Sequence, residues 1–543
     1  MRIAEKTDSF RNLFKVLRTE LFEKFFSSLN ASYQIERAHG KTALKFEFKC
    51  KSDTNSVKES LQDVTGFLET LKESFLGFTT SEMSFLRLFY ANESYGHQLT
   101  KSIEERILKA KVPKTVNDLY CYDYSVLESC ESTLCALGVA SENCFAEFRK
   151  SLETHFVTSF VSDALAACRS LTLSDLSDTV VIECSRVDHE SSKTSPKSVI
   201  PALSDENRHF MHRSLNQLPK MSISLSVRKL SQHIHHCIEQ ASLLKSETNA
   251  TFLLQCSLDL MTMYCNLTTA YHESSSAIQV PYINAVQYNN LMFMAQKCVF
   301  YGLVPLQYKQ GVVCASLGVT VATFLQFVPV LRHKAESLFK NCICRQRDSL
   351  RDPLTEPALF PALASNLLPN GRIEPTQLEN PFQKCFHQLD KILSSVKPPV
   401  LSVNKYKLAI TYLLDYILKF VVSYCVKLED ITTNDAKVID RILEMVETES
   451  EKVVTRILHA NFELEVAVSE SELCQFYDQV LPEFRRLKWV QKLMGTSLLS
   501  IQADYASENC SLRNHISVDE VKSLIRALFQ NTEIRAMVIN SIK

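Results

Sequence analysis

Glycine is scarce in this chain: ten residues in 543, beside a single tryptophan. Average usage is about 7% glycine, and the shortfall carries information. Doubly wound sheets, phosphate-binding loops and β-barrels spend glycine on tight turns and close backbone approach. An all-helical chain needs little of it. A dominant charge is also missing, since 60 basic and 61 acidic residues leave a net −1. No global field is available to recruit nucleic acid. The opening MRIAEKTDSF has no apolar core of a secretory signal. The 18 cysteines lie scattered through helical stretches of a long chain, so they read as reduced thiols rather than a disulfide framework. On that reading the Asn-x-Ser/Thr matches at Asn249, Asn266 and Asn509 have no role as glycan acceptors. No P-loop, no GxGxxG after a strand, no GxSxG elbow and no HExxH occurs.

What the chain has is helical periodicity. Its 45% hydrophobic and 22% charged content is that of an ordinary folded protein, too long for one core and suited to about three or four domains or a rod. Phe10, Leu13, Phe14, Leu17, Leu21 and Phe25 share one helical face. Leu44, Phe46, Phe48 and Cys50 alternate instead and predict one short strand. Val57, Leu61, Val64, Leu68, Leu71 and Phe75 form a heptad-like seam, read as a bundle helix. Helical patterns continue to about residue 175 and resume at Val227. They run through 253–265, 283–303 and 324–344, and again from Val403 to the end. Arg186 to Lys220 is rich in Ser, His, charge and proline and reads as a flexible excursion. Eight of the 16 prolines sit between Pro353 and Pro399, which predicts irregular connection rather than long helix. The organisation expected is therefore 1–185, 186–220, 221–350, 351–400 and 401–543: helical domain, linker, helical domain, Pro-rich connection and C-terminal bundle.

Two stretches are apolar enough to consider as membrane spans. Gln310–Leu331 is uncharged, but its serine, threonines, glutamine, glycines and Pro329 argue against a span. Leu408–Val426 is interrupted by Asp415 and Lys419 and reads as a buried amphipathic helix. A capping threonine, Thr432 or Thr433, opens the helix that carries Val438, Ile439, Ile442, Leu443 and Val446. At the end, Ser517 and Glu520 make a capping box. Val521, Leu524, Ile525, Leu528 and Phe529 follow as one stripe. Asn531 or Thr532 then caps a second short helix with Ile534, Met537, Val538 and Ile542.

Candidate sites are few. His233, His236 and Cys237 share a helical face, but no second Cys/His group completes a tetrahedron, so the histidines read as polar residues on a helix surface and no metal is expected. Cys342 and Cys344 point to opposite sides of a helix. The basic group Arg332, Lys334, Lys340, Arg345, Arg347 and Arg351 reads as a solvated helix face. No catalytic, cofactor or metal residues are assigned. Arg526 and Arg535, off the terminal stripe, are the candidate partner-facing residues.

Several stretches, in order, resemble the zeste-white ten centromere/kinetochore protein family. These are SLSVRKL (Ser224–Leu230), AVQYNNLMFMAQ (Ala285–Gln296), FLQFVPVLRHKAESLF (Phe324–Phe339), the long helix and LEDI turn of Val403–Ala436, and LIRALFQNTEIRA (Leu524–Ala536). The resemblance implies an all-α fold, an elongated stack of helical bundles like the rods of multisubunit tethering complexes, with at most one short β element near residues 42–50. It implies a non-enzymatic scaffold in two assemblies. One is a kinetochore complex with Rough deal and Zwilch, which recruits dynein and dynactin indirectly and supports the spindle checkpoint. The other receives Golgi-derived vesicles at the endoplasmic reticulum and contacts SNAREs. Location is then cytoplasmic, at kinetochores in mitosis and at the reticulum periphery in interphase, with membrane association through partners and no nucleic acid bound. Members are usually longer at the front, so this chain is expected to lack the extreme N-terminal, partner-pairing region. A subunit of another vesicle tether without a mitotic role is the alternative, and a helical enzyme with a site assembled from distant residues is the remaining class.

Overall fold

The structure is a computed structural model that describes residues 33–36, 45–48, 57–74, 95–109, 112–182, 218–272, 276–301, 317–355, 375–460, 470–506 and 515–542. Among the described residues it is all-α, with four short strands in two small antiparallel pairs. The chain divides into two compact units. The expected Phe10–Phe25 helix, and the excursion except for its last three residues, lie outside the described residues.

The first unit takes in Met1–Ala167, His235–Leu260 and Tyr308–Gly318. Strand β1 (Tyr33–Glu36) pairs with β2 (Lys45–Phe48), where alternation predicts a strand. Helix α1 (Val57–Ser74) follows, then α2 (Tyr95–Ile103), which runs on into a π-helical turn, Glu104–Leu108. Next come α3 (Val116–Tyr120), α4 (Ser125–Ala136) and α5 (Ala146–Thr172). Parts of α5, α6 (Leu225–Leu243) and α7 (Glu247–Leu267) belong to this unit. The α1 seam is buried at Leu61, Val64 and Leu68, with Phe67 beside it, and α1 packs on α4.

Polar groups, buried and at the surface, fix how the pieces of this unit meet. Gln240 accepts the buried amide of Val116 at 2.7 Å, and the Tyr120 hydroxyl accepts the amide of Lys245 at 2.7 Å. Glu153 accepts both the Ser246 amide and the Asn249 side chain, each at 3.2 Å. Glu131 is held by two guanidinium nitrogens of Arg149 and by the Phe145 amide, which closes the α4–α5 connection. In that connection Gly138 (φ 72°) and Asn143 (φ 61°) occupy left-handed backbone, a conformation those residue types tolerate.

The second unit takes in Cys168–Ile234, Met261–Gln307 and Val319–Lys543. Strands β3 (Thr179–Ile182) and β4 (Met221–Ser224) pair antiparallel, with Thr179 opposite Ser224. Its helices are α8 (Pro281–Tyr301), α9 (Leu317–Arg351), α10 (Pro375–Val396), α11 (Val403–Val426), α12 (Thr433–His459), α13 (Glu470–Gln479), α14 (Pro482–Gly495), α15 (Leu498–Ala506), α16 (Val518–Leu528) and α17 (Glu533–Ser541). Among the described residues α11 is the helix long and apolar enough to cross a membrane, and 61% of its apolar window is buried inside the protein. It is a core helix. Only the part of the uncharged 310–331 stretch from residue 317 is described, and it forms the first turns of α9.

Two findings differ from the sequence reading. The β3–β4 pair is an addition to the single β element expected; its strands are four residues each, β3 (TVVI) carries no apolar/polar alternation in its sequence, and the alternation of β4 (MSIS) runs on without a break into helix from Leu225. Residues 375–396 are a helix despite their prolines. Pro375 is the first helical residue, where the missing N–H costs nothing. Pro381 lies inside, and the neighbouring Phe382, Cys385, Phe386 and Leu389 keep the helix seated by burial.

A buried β4 needs partners for its backbone and its serines, and α8 supplies them. The Asn289 side chain donates to the carbonyls of Ser222 (2.7 Å) and Val400 (2.6 Å). Asn290 accepts the Ser224 amide at 2.8 Å and donates to Gln287. The Ser222 hydroxyl donates to the Pro399 carbonyl. Strand, helix and the turn after α10 are thus one junction. Replacing Asn289 with alanine takes the side-chain donor from the Ser222 carbonyl and one of two donors from the Val400 carbonyl, which keeps the Ser222 amide at 3.3 Å. A lost partner at a buried group costs about 1–3 kcal/mol. Asn289→Ala is expected to lower unfolding free energy by about 2–4 kcal/mol in urea titration. The exposed Asn404→Ala control stays within about 0.5 kcal/mol; equal midpoints for the two would show that the junction does not hold.

Candidate functional site

Any chemistry in this fold would reside in its titratable and metal-type residues. Cys237 is buried and turned toward Cys256, whose thiol it lowers by hydrogen bonding. His233 and His235 are exposed, while His236 stands 5.6 Å from the Phe160 ring and 3.6 Å from Glu239. The helical-face grouping of His233, His236 and Cys237 is therefore split between core and surface. Among the described residues no three His, Cys, Asp or Glu side chains are arranged to hold a metal ion. Every described cysteine is a free thiol. Burial pushes Cys130, Cys385 and Cys425 up to about 12, the opposite of an activated nucleophile. Asp415 on α11 is raised by burial and by nearby Glu483, with Lys419 opposing. An apolar depression lined by Phe382, Val421, Tyr424, Cys425, Leu428, Ile439, Ile442 and Leu443 carries no converging polar groups, which small-molecule sites use to fix orientation.

The chain's C-terminal bundle is built for packing. Thr432 is the cap of α12, in a capping box with Asp435. This settles the choice between the two threonines. Ser517 and Glu520 form the box that opens α16, and Thr532 caps α17. Val521, Leu524 and Ile525 are buried, and α16 is tied down by polar links as well. The Ser523 hydroxyl donates to the Val426 carbonyl at the end of α11, and the Ile431 amide donates to the Ala527 carbonyl at 2.9 Å. Arg486 on α14 bonds both Glu483 and Glu520.

The stripe is shorter than its periodicity predicts. Leu528 is half-buried, and Phe529 leaves the helix with extended backbone. On α17, Val538 and Ile542 are buried, but Ile534 and Met537 are 52% and 62% exposed. A nine-residue helix has room for one contact line, and these two fall on its outer side. Arg526 is exposed on α16. Arg535 is half-buried, and its guanidinium donates to the carbonyls of Arg526 (3.1 Å) and Phe529 (2.7 Å). It closes the C-terminus of α16, where carbonyls lack helical partners and a cation is favoured.

This bundle and the junction before it coincide with known sequence families. Residues 216–352 match the family model described as centromere/kinetochore protein zw10, C-terminal, and residues 381–542 match that described as the ZW10 C-terminal helical domain. Together they take in more than half of the chain. The chain belongs to the zw10 family. Curated zw10-family relatives include the centromere/kinetochore protein zw10 homologs of Rattus norvegicus, 24% identical over 419 residues, and Mus musculus, 24% identical over 417 residues. Each alignment covers 73% of this chain and 50% of the relative. The chain spans about half the length of the curated relatives it matches.

The zw10 matches take in all three members of the buried junction, since β4 and α8 lie in the first match and the Val400 turn in the second. The paired asparagines stand out in the sequence, but their task does not, because their acceptors lie 67 and 111 residues away along the chain. Leu524→Ala is expected to cost about 2–5 kcal/mol through lost burial and a cavity. Loss of the Arg535 cap costs about 1–2 kcal/mol, and Arg526→Ala stays within about 0.5 kcal/mol. Chemical denaturation of the three variants checks the order; an Arg535→Ala variant as stable as wild type would mean that the arginine does not close α16.

Proposed function

We propose that this chain is a non-enzymatic scaffold subunit that works at kinetochores, where it supports the spindle checkpoint and dynein recruitment through protein partners of the Rough deal and Zwilch kind. Family membership over residues 216–352 and 381–542 is the observation that carries this reading. The physical character of the molecule supports it. Buried polar groups such as Asn289 and Asn290 are spent on joining elements, the buried thiols of Cys130, Cys385 and Cys425 are raised rather than activated, and the apolar depression beside α11 is without polar convergence. The same scaffold serves, in this proposal, in a vesicle-tethering assembly at the periphery of the endoplasmic reticulum, with contacts to SNAREs. In both places the chain reaches membranes or chromosomes through other subunits.

The test follows the full chain, carrying a fluorescent tag, through division in cells of its own species. It is expected to collect at kinetochores before chromosome alignment and to co-purify with the other kinetochore subunits from mitotic cells. From interphase cells it should co-purify with tether subunits and SNAREs. Absence from kinetochores together with interphase tether partners would overturn the mitotic role and leave the tether alone. Absence of both sets of partners would overturn the scaffold reading.

A further inference from the structure

The basic group on α9 reads from its spacing as a solvated face, and the structure divides it by use. Lys334 is consumed internally, donating to the Cys265 carbonyl (3.1 Å) and to the Thr269 hydroxyl (2.6 Å). Arg332, Lys340, Arg345 and Arg351 are exposed. Glu336, Lys340, Arg347 and Arg351 are spaced i, i+4, i+11 and i+15, and so share one stripe.

Helix α11 offers a second stripe beside it. Lys405, Leu408, Tyr412 and Tyr416 are spaced i, i+3, i+7 and i+11. Lys405 bonds Glu336 at 2.7 Å, and farther along both helices Arg347 reaches the Tyr412 hydroxyl (3.5 Å) and lies over the Tyr416 ring (5.4 Å). These pairings advance in the same sense on both helices, so the two stripes run side by side in the same direction. Lys340 and Leu408, each one turn beyond the first pair, fall in the interval between the two links. Leu408 is 64% exposed and Tyr412 45%. Leu408 opens the stretch read as a buried amphipathic helix, yet it lies on the side of α11 turned away from the core.

The patch therefore has an exposed Leu–Tyr centre and a basic border. Glu336 answers Lys405, and Asp348 answers Arg347. Lys340 and Arg351 have no ion pair among the described residues, so the border has positive charge left over. Tyrosine and arginine are the residue types that anchor protein interfaces, and complementary charge selects the partner. We propose that the α9–α11 face, centred on Leu408 and Tyr412 and bordered by Lys340, Arg347 and Arg351, docks an acidic segment of a partner protein that inserts one large apolar side chain. This goes beyond the scaffold reading by naming a surface and a partner chemistry, and it does not depend on where in the cell the chain works.

The experiment pans the full chain against a phage-displayed library of random peptides, then measures the enriched peptides, fluorescently labelled, by anisotropy. Three variants are compared with wild type: Leu408→Asp, the double charge reversal Lys340→Glu/Arg351→Glu, and Leu499→Asp, an exposed apolar site elsewhere in the unit. All four positions are on the surface, and matching thermal melts confirm that each variant is folded. The expected peptides are net acidic with an aromatic or leucine anchor. Their affinity should drop at least tenfold for the first two variants, stay unchanged for the third, and weaken as salt rises. Enriched peptides that are not acidic, affinities indifferent to the first two variants, or no enrichment would each overturn the proposal. So would self-association in sedimentation that Leu408→Asp abolishes, which would make the occupant a second copy of the chain. Binding to phosphatidylserine vesicles that the charge reversal abolishes, without peptide binding, would assign the face to a membrane surface and overturn it equally.

Discussion

Burial of α11 is the constraint on which the second unit depends. Twelve of its 24 residues are buried, from Tyr406 to Val426, and removing a large aliphatic side chain from water contributes about 1.5–3 kcal/mol. A helix this apolar must be surrounded. Helices α10, α12, α14 and α16 all pack against it. The chain's last turns are drawn in for the same reason, because α16 sets Leu524 and Ile525 into the core and meets the end of α11 through Ser523. Length and composition alone would allow α11 to span a membrane; its neighbours make it a core element instead.

Polar chemistry then decides how the remaining pieces register. Apolar stripes tolerate rotation and sliding, since the next ridge along offers much the same packing as the one before. Hydrogen bonds to buried backbone do not, because an orphaned carbonyl or amide costs its desolvation. Asn289 and Asn290 fix β4 and the Val400 turn to one place on α8. Gln240, Glu153 and the Glu131–Arg149 pair do the same within the first unit. These groups are where the chain specifies its fold rather than merely supporting it, and the Asn289–Asn290 pair sits inside a stretch matched to the zw10 family.

Much of this is legible from residue order. The threonine cap of α12 and the capping box at Ser517 are local patterns with local causes; the box forms where the spacing predicts, and the structure makes Thr432, one of the two threonines offered, the cap. The α1 seam, the α11 and α12 stripes and the strand at 45–48 are read from periodicity in the same way. Periodicity fails where tertiary neighbours decide. It cannot tell that Ile534, Met537 and Leu408 face outward while Val538 and Ile542 face in, for all of them sit on plausible stripes. It cannot see β4, whose serines are buried because asparagines far along the chain satisfy them. It groups Arg535 with Arg526 as a surface pair, although the guanidinium of the first caps the helix that bears the second. The family itself is readable in ordered segments, and two matched C-terminal models confirm it.

Hydrogen–deuterium exchange on the intact chain, followed by mass spectrometry under native conditions, tests the central claim most directly. If α11 is the element around which the second unit folds, the amides of 410–422 exchange slowest in the unit, through global unfolding. Those of α17, held by Val538 and Ile542 at its inner edge, exchange faster through local opening. Amides of α11 that exchange as fast as those of α17 would contradict the account.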